Sequence, residues 1–139
     1  MVAQVRYFTR SGNTKKLAEA VAEAAGCRAE SIPEPLEGHV DVLFLGASEY
    51  AGNVSSEVKD FISSLDPEQV GEVAVFTTSA FTKKVYPKIS EMLKSRGIPL
   101  AQKYYYCPGE FLTFHKGRPG RKDLEAAEGF ARDVLKKLS

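Results

Sequence analysis

Five short apolar runs alternate with segments whose apolar residues recur at helical spacing, and this alternation restricts the fold more than any other feature. The runs are Val2 to Phe8, Cys27 to Ile32, Val40 to Leu45, Val73 to Phe76 and Leu100 to Tyr106. Leu17, Ala18, Val21, Ala24 and Ala25 form the first stripe, which Gly26 is placed to end. Val54, Val58, Phe61, Ile62 and Leu65 form the second, closed by Asp66-Pro67. Val85, Ile89, Met92 and Leu93 form the third, with Pro87 tolerable only in the first turn and Gly97 as the stop. Leu124, Ala127, Phe130, Ala131, Val134, Leu135 and Leu138 form the last. Val40 to Leu45 is almost continuously apolar, as a strand covered on both faces should be. Strands that alternate with helices imply right-handed crossovers, hence a parallel sheet between two helical layers. The expected fold class is α/β: one doubly wound, three-layer domain over residues 1–139, with a five-stranded parallel sheet in the order 2-1-3-4-5.

In such a sheet ligands bind outside the carboxyl ends of the strands, at the switch point beside strands one and three. Thr9-Arg10-Ser11-Gly12-Asn13-Thr14 falls there, between the first run and the first stripe. Thr9, Ser11 and Thr14 offer hydroxyls, and Gly12 lets the backbone pass close to a ligand. The unpaired N–H groups of the first helical turn and the positive end of the helix dipole point the same way. This pattern describes a phosphate cradle built from hydroxyls and amides, with charge nearby only at Arg10, Lys15 and Lys16. The alternative is a helix N-cap with spare hydroxyls. The P-loop and dinucleotide patterns are both absent. A phosphoacceptor receiver would need an aspartate after strand three and an acidic pair after strand one, where Gly46-Ala47 and Thr9 stand. The C-x5-R of a small tyrosine phosphatase fails at both cysteines, since Pro33 and Thr113 occupy the arginine position.

Thr9–Thr14 resembles the flavodoxin phosphate loop, [ST]-x-[ST]-G-x-T, and the match runs through Tyr7-Phe8 before it and Leu17, Ala18 and Val21 after it. Arg6 departs from the family, which usually has an aliphatic residue there. The resemblance implies a flavodoxin-like fold holding FMN non-covalently, with the phosphate at residues 9–14. It also implies that Gly46–Asn53 and Thr77–Phe81 flank the isoalloxazine ring. Within the first of these segments, Ser48, Tyr50, Ala51, Gly52 and Asn53 are candidates, Tyr50 as the stacking face. In the second, Thr77, Thr78 and Ser79 would offer hydroxyls and amides to the pyrimidine edge and ribityl chain. Phe81 is a second stacking candidate, with the core as its alternative place. One-electron chemistry in this family uses a backbone carbonyl that turns toward flavin N5. Ala51-Gly52 is either that peptide or an ordinary turn before a helix. Cys107-Pro108-Gly109 resembles a turn after strand five in small members of the family, with Cys107 a buried apolar group.

The remaining residues narrow the setting. No run approaches a membrane span, no signal peptide is expected, and two cysteines are too few for a disulfide framework, so a cytoplasmic setting with reduced thiols is expected. His39 and His115 lack partners at ligand spacing, so no metal is expected. Lys116, Arg118, Arg121 and Lys122 read as a solvated loop, or as a greeting surface for an acidic partner or a nicotinamide-cofactor phosphate. A net charge of +1 argues against a dedicated nucleic-acid surface, and it differs from the strongly acidic character of many flavodoxins. The leading expectation is an electron carrier serving redox partner proteins. The alternatives are a flavin oxidoreductase linked to a nicotinamide or quinone and a cofactor-free interaction module. The absence of an evident substrate domain favours the carrier, and the intact phosphate loop disfavours the module.

Overall fold

The computed structural model describes residues 1–48, 52–79, 84–109 and 115–138. Its elements run β1 (Ala3–Tyr7), α1 (Asn13–Ala25), β2 (Ala29–Ser31), β3 (Val40–Ser48), α2 (Ser56–Ser64), β4 (Val70–Ser79), α3 (Val85–Ser95), β5 (Tyr105–Pro108) and α4 (Arg121–Leu138). Among the described residues five parallel strands pair in the order β2-β1-β3-β4-β5, the order that the alternation predicts. Val5 of β1 faces Ala29 of β2 on one side and Phe44 of β3 on the other.

Alternate residues of β3 feed two separate cores. Val42 and Phe44 pack with Leu17 and Val21 of α1 and with Phe130 and Val134 of α4. Leu43, Leu45 and Ala47 pack instead with Val58 and Ile62 of α2 and with Ile89 and Leu93 of α3. Covering both faces is why this strand tolerates no alternation of polar and apolar residues. Helix ends follow local chemistry. Gly26, left-handed at φ 72°, turns its N–H back to the carbonyls of Ala22 and Glu23. Ser55 caps α2 by accepting the Val58 N–H at 3.2 Å. Pro87 lies in the first turn of α3, where its missing N–H costs nothing.

Strand ends differ from the sequence expectation. Gly46–Ser48 and Thr77–Ser79, expected in loops, continue β3 and β4, with Ala47 opposite Thr77 and Ser48 opposite Thr78. Strand pairing is a backbone matter, and polar side chains do not end a ladder while a neighbour can supply partners. Strand five is displaced. Leu100 makes only an isolated bridge to Val73, and the ladder proper pairs Tyr105–Pro108 with Phe76–Ser79. Cys107 and Pro108, expected to turn away, are therefore strand residues, and Pro108 is tolerated because β5 forms a sheet edge. Leu138, one turn beyond the buried Val134, is exposed.

Arg6 is almost fully buried in β1. Its guanidinium donates to the carbonyls of Glu34 at 2.9 Å, Pro35 at 2.7 Å and Val5 at 2.9 Å, and to Gln4 Oε1 at 3.1 Å. Burial lowers its pKa from the ordinary arginine value, while Glu30, Glu34 and Glu37 pull the other way. An aliphatic residue there would pack against the loop after β2, whereas arginine ties that loop down through its carbonyls. Gln4 Nε2 adds a bond to the Glu37 carbonyl at 2.7 Å.

Candidate functional site

The carboxyl ends of β1, β3, β4 and β5 meet around the first turn of α1. Gly12 is the N-cap of that helix at φ 89°, a left-handed conformation that glycine adopts without strain. As a glycine, Gly12 offers no side chain of its own to cap α1. The hydroxyls instead shape the loop. Thr9 Oγ1 accepts the Gly12 N–H at 2.9 Å, and Ser11 Oγ accepts the Asn13 N–H at 3.4 Å. Each hydroxyl keeps its own proton to donate, and a Cβ on Gly12 would meet nothing within 4 Å. Arg10 holds its guanidinium 5.7 Å from the centre of the Phe8 ring. Across the loop, Glu57 in the first turn of α2 sits below the usual carboxylate range. Its own N–H and the Ser56 hydroxyl are the main causes, and Arg10 adds a smaller attraction.

Thr14 behaves differently from Thr9 and Ser11. It is fully buried, and its hydroxyl lies 2.7 Å from both Ser48 Oγ and Thr78 Oγ1. Ser48 in turn donates to the Phe8 carbonyl at 3.3 Å. Each hydroxyl has one proton, so this terminal acceptor orders the whole relay: Thr78 donates to Thr14, Thr14 to Ser48, and Ser48 to Phe8 O. Three residues that the sequence assigned to three separate segments are thus one buried chain joining α1, β3 and β4. Thr9 and Ser11 remain as the hydroxyls on the accessible side of the loop.

Glycines bring the strand ends this close. A Cβ on Gly46 would lie 2.4 and 2.5 Å from the Phe76 ring and 3.0 Å from Thr14 Cγ2. A Cβ on Gly109 would lie 2.7 Å from Asn13 Nδ2. Gly109, just after β5, also donates its N–H to the Ser79 carbonyl at 3.1 Å, and the Tyr106 hydroxyl donates to the same carbonyl at 3.2 Å. Thr77 and Thr78 are buried in the sheet, and Ser79 closes β4. Gly109 enters the sequence reading only as part of the Cys-Pro-Gly turn, and Tyr106 has no site role in it. The Cys-Pro-Gly turn was a signal for the first, but only the register of β5 brings either to the site.

Of the ring-flanking candidates, Tyr50, Ala51 and Phe81 lie outside the described residues. Gly52 is buried with φ 76°, and Asn53 beside it is exposed. Lys88 in the first turns of α3 donates its ammonium to the Gly52 carbonyl and lies 3.4 Å from Asn53 Oδ1. Nothing in the sequence marked this lysine. Cys107 is buried, and burial, with Asp123 adding to it, pushes its thiol up to about 11. Arg118, a basic neighbour that the sequence did not reveal, opposes this shift with a smaller effect. The cysteine therefore has the apolar role expected of it. In the basic segment Arg118 pairs with Asp123 at 2.6 Å and Arg121 with Glu125 at 3.2 Å. Among the described residues no group of three His, Cys, Asp or Glu is arranged for a metal. A groove of about 450 Å³ lies between the 32–36 loop and α2. Ile32, Pro33, Leu36 and Phe61 line it with no cluster of hydroxyls or cations, so an anion has no reason to prefer it.

Fold and site together define a doubly wound α/β protein with a glycine-opened helix start at the topological switch point. Solved structures of the same shape include flavodoxins. An archaeal flavodoxin superposes with a TM-score of 0.78 at 19% identity, covering 99% of this chain and 98% of its own. Flavodoxin 2 of Bacillus cereus gives 0.73 at 20% identity over 99% of each chain. A short-chain flavodoxin associated with a PDU bacterial microcompartment gives 0.74 at 20% identity over the whole of both chains. No protein-family model and no curated protein matches the sequence. The chain has the flavodoxin-like fold.

Proposed function

We propose that this chain binds FMN non-covalently and carries electrons between redox partner proteins. The observation that carries the reading is the turn at residues 9–14. A left-handed Gly12 opens the start of α1 without a side chain of its own, Ser11 Oγ takes the Asn13 N–H at 3.4 Å, and the Thr9 and Ser11 hydroxyls keep protons to donate. That donor set suits a phosphate monoester, which wants several N–H and O–H donors and tolerates modest positive charge.

In this reading Thr9, Ser11 and the first-turn amides of α1 bind the phosphate, and Arg10 and Asn13 flank it. The Thr14–Ser48–Thr78 relay does not itself face the ligand. It holds the loop, β3 and β4 in one register so that the donors need not reorganise on binding. Thr77 and Ser79 and the Gly52–Asn53 segment border the place of the ring, with Tyr50 and Phe81 as its faces and Ala51 beside it. Bound FMN supplies storage for one or two electrons, and the chain supplies binding, exclusion of water and control of potential. The flavodoxins of the same shape support this reading.

The test is an absorption spectrum of the purified protein, with any released cofactor identified, followed by titration of the cofactor-free chain with FMN. A yellow protein that binds FMN tightly and riboflavin weakly supports the reading, since only FMN carries the phosphate. No uptake of either refutes it. Rapid reduction by NADPH alone would transfer the role from carrier to enzyme.

A further inference from the structure

The groove between the 32–36 loop and α2 shares none of its lining residues with the candidate cofactor site. Its α2 wall is a single stripe, since Glu57, Asp60 and Phe61 follow one another at helical spacing. The facing wall presents Ile32, Pro33 and Leu36 and is held from behind. Arg6 donates to the carbonyls of Glu34 and Pro35. Gln4 donates to the Glu37 carbonyl at 2.7 Å and accepts the Glu37 N–H at 3.2 Å, and Gln69 Nε2 donates to the Gly38 carbonyl at 2.8 Å. The Glu34 N–H goes to the Ser31 carbonyl at 3.0 Å, and Pro33 and Pro35 have no N–H. With its backbone groups so paired, this wall offers no ladder to an added strand, and recognition falls to side chains.

Those side chains are apolar, with charge of one sign beside them. Glu57 and Asp60 are exposed on the α2 wall, and no lysine, arginine or histidine lines the groove, in a chain whose net charge is +1. Among the described residues neither carboxylate forms an ion pair, and Arg10 reaches Glu57 only as a smaller attraction. An occupant must therefore complement two carboxylates next to an apolar cleft. We propose that the groove docks a segment of another protein that carries a lysine or arginine one helical turn from a large apolar side chain. The apolar side chain enters between Leu36 and Phe61, and the cation meets Glu57 and Asp60. About 450 Å³ admits such a side chain and the stem of the cation. Arg6 and Gln69 already fix one wall and the Ser55 cap fixes the start of the other, so ordering them costs little on binding. The docking site stands on the groove alone and does not rest on the FMN reading.

The experiment pans a phage-displayed library of random-sequence peptides on the immobilised full chain, with counter-selection on Leu36→Ser. Enriched peptides are expected to pair a lysine or arginine with a large apolar residue three or four positions away. The strongest of them, synthesised and followed by fluorescence anisotropy, should bind Leu36→Ser roughly tenfold more weakly than the wild type. Binding to the double variant Glu57→Gln, Asp60→Asn should be roughly fivefold weaker, and that loss should shrink in high salt. Melting curves by circular dichroism separate lost docking from lost folding. Should Leu36→Ser melt early, the charge variant decides alone, since both of its residues are exposed. No enrichment over the counter-selection, enrichment of acidic or purely polar peptides, or binding indifferent to the charge variant overturns the proposal. So does a wild-type dimer in sedimentation equilibrium that Leu36→Ser abolishes, which would give the groove to a second copy of this chain.

Discussion

Thr14→Val tests the buried relay most directly. Valine keeps the branched shape of threonine and replaces the hydroxyl with a methyl group that can neither donate nor accept. That hydroxyl makes two contacts of 2.7 Å, donating to Ser48 and accepting from Thr78. Each bond is worth about 1 kcal/mol net, and Thr78 Oγ1, buried at the end of β4, loses the partner it has here, so the total loss is about 2–3 kcal/mol. For a chain of this size the loss lowers the melting temperature by roughly 6–12 °C. Urea denaturation followed by circular dichroism measures it, and the slope of the transition should be unchanged, because the surface exposed on unfolding is the same. The decisive comparison is a cycle with Thr78→Val. Removing both ends of one bond should cost less than the sum of the single losses, with a coupling of about 1 kcal/mol. A single-variant loss below about 0.5 kcal/mol, together with no coupling, would refute the relay.

Three further outcomes follow from the same geometry. Gly46→Ala drives a Cβ into the buried Phe76 ring at 2.4 Å, so it should destabilise by about 3 kcal/mol in urea, well beyond the effect of Gly129→Ala, whose Cβ meets nothing. Asp123 accepts from Arg118 and from the Gly120 N–H, and these bonds, Arg118 first, hold its pKa below the unfolded value. Its contribution is therefore fully present above the unfolded carboxylate pKa of about 3.9 and lost as pH falls through the lower folded value. Asp123→Asn should cost about 1 kcal/mol near neutrality, and the gap to wild type should close as the pH falls through the folded value in a series of urea melts. Cys107, buried with its thiol pushed up to about 11, should resist a thiol reagent at pH 8 in the native chain and react fully in urea.

Much of this protein was legible one segment at a time. A layered parallel sheet follows from apolar runs of strand length between helical stripes. The continuous run at Val40–Leu45 announces its own burial on both faces. Gly26, Gly97 and Pro87 each stand where a local backbone demand puts them, left-handed at helix ends in the first two and in the first helical turn in the third. The loop at 9–14 stands out in the sequence because its chemistry is local: hydroxyls and a glycine at a strand–helix junction are legible whatever surrounds them.

Other features depend on partners distant in sequence. Ser48 and Thr77–Ser79 look like loop residues because they are polar, yet neighbouring strands supply their backbone partners and the ladder continues. Strand five starts later than its apolar run, because Tyr105–Pro108 is the stretch that finds Phe76–Ser79. Arg6 seems misplaced until the carbonyls of Glu34 and Pro35 arrive beside it. Thr14 reads as a hydroxyl of the phosphate cradle, but Ser48 and Thr78, 34 and 64 residues away, take up its hydroxyl. Lys88 carries no mark in the sequence, and only the fold brings it the Gly52 carbonyl. Periodicity and turn chemistry act over a few residues, so the sequence by itself determined the layers, the strand order and the hydroxyl-and-glycine turn at 9–14. Hydrogen-bond partners chosen across the sheet, the ordered relay and the Lys88 contact exist only once the chain has closed on itself, so only the tertiary structure decided them.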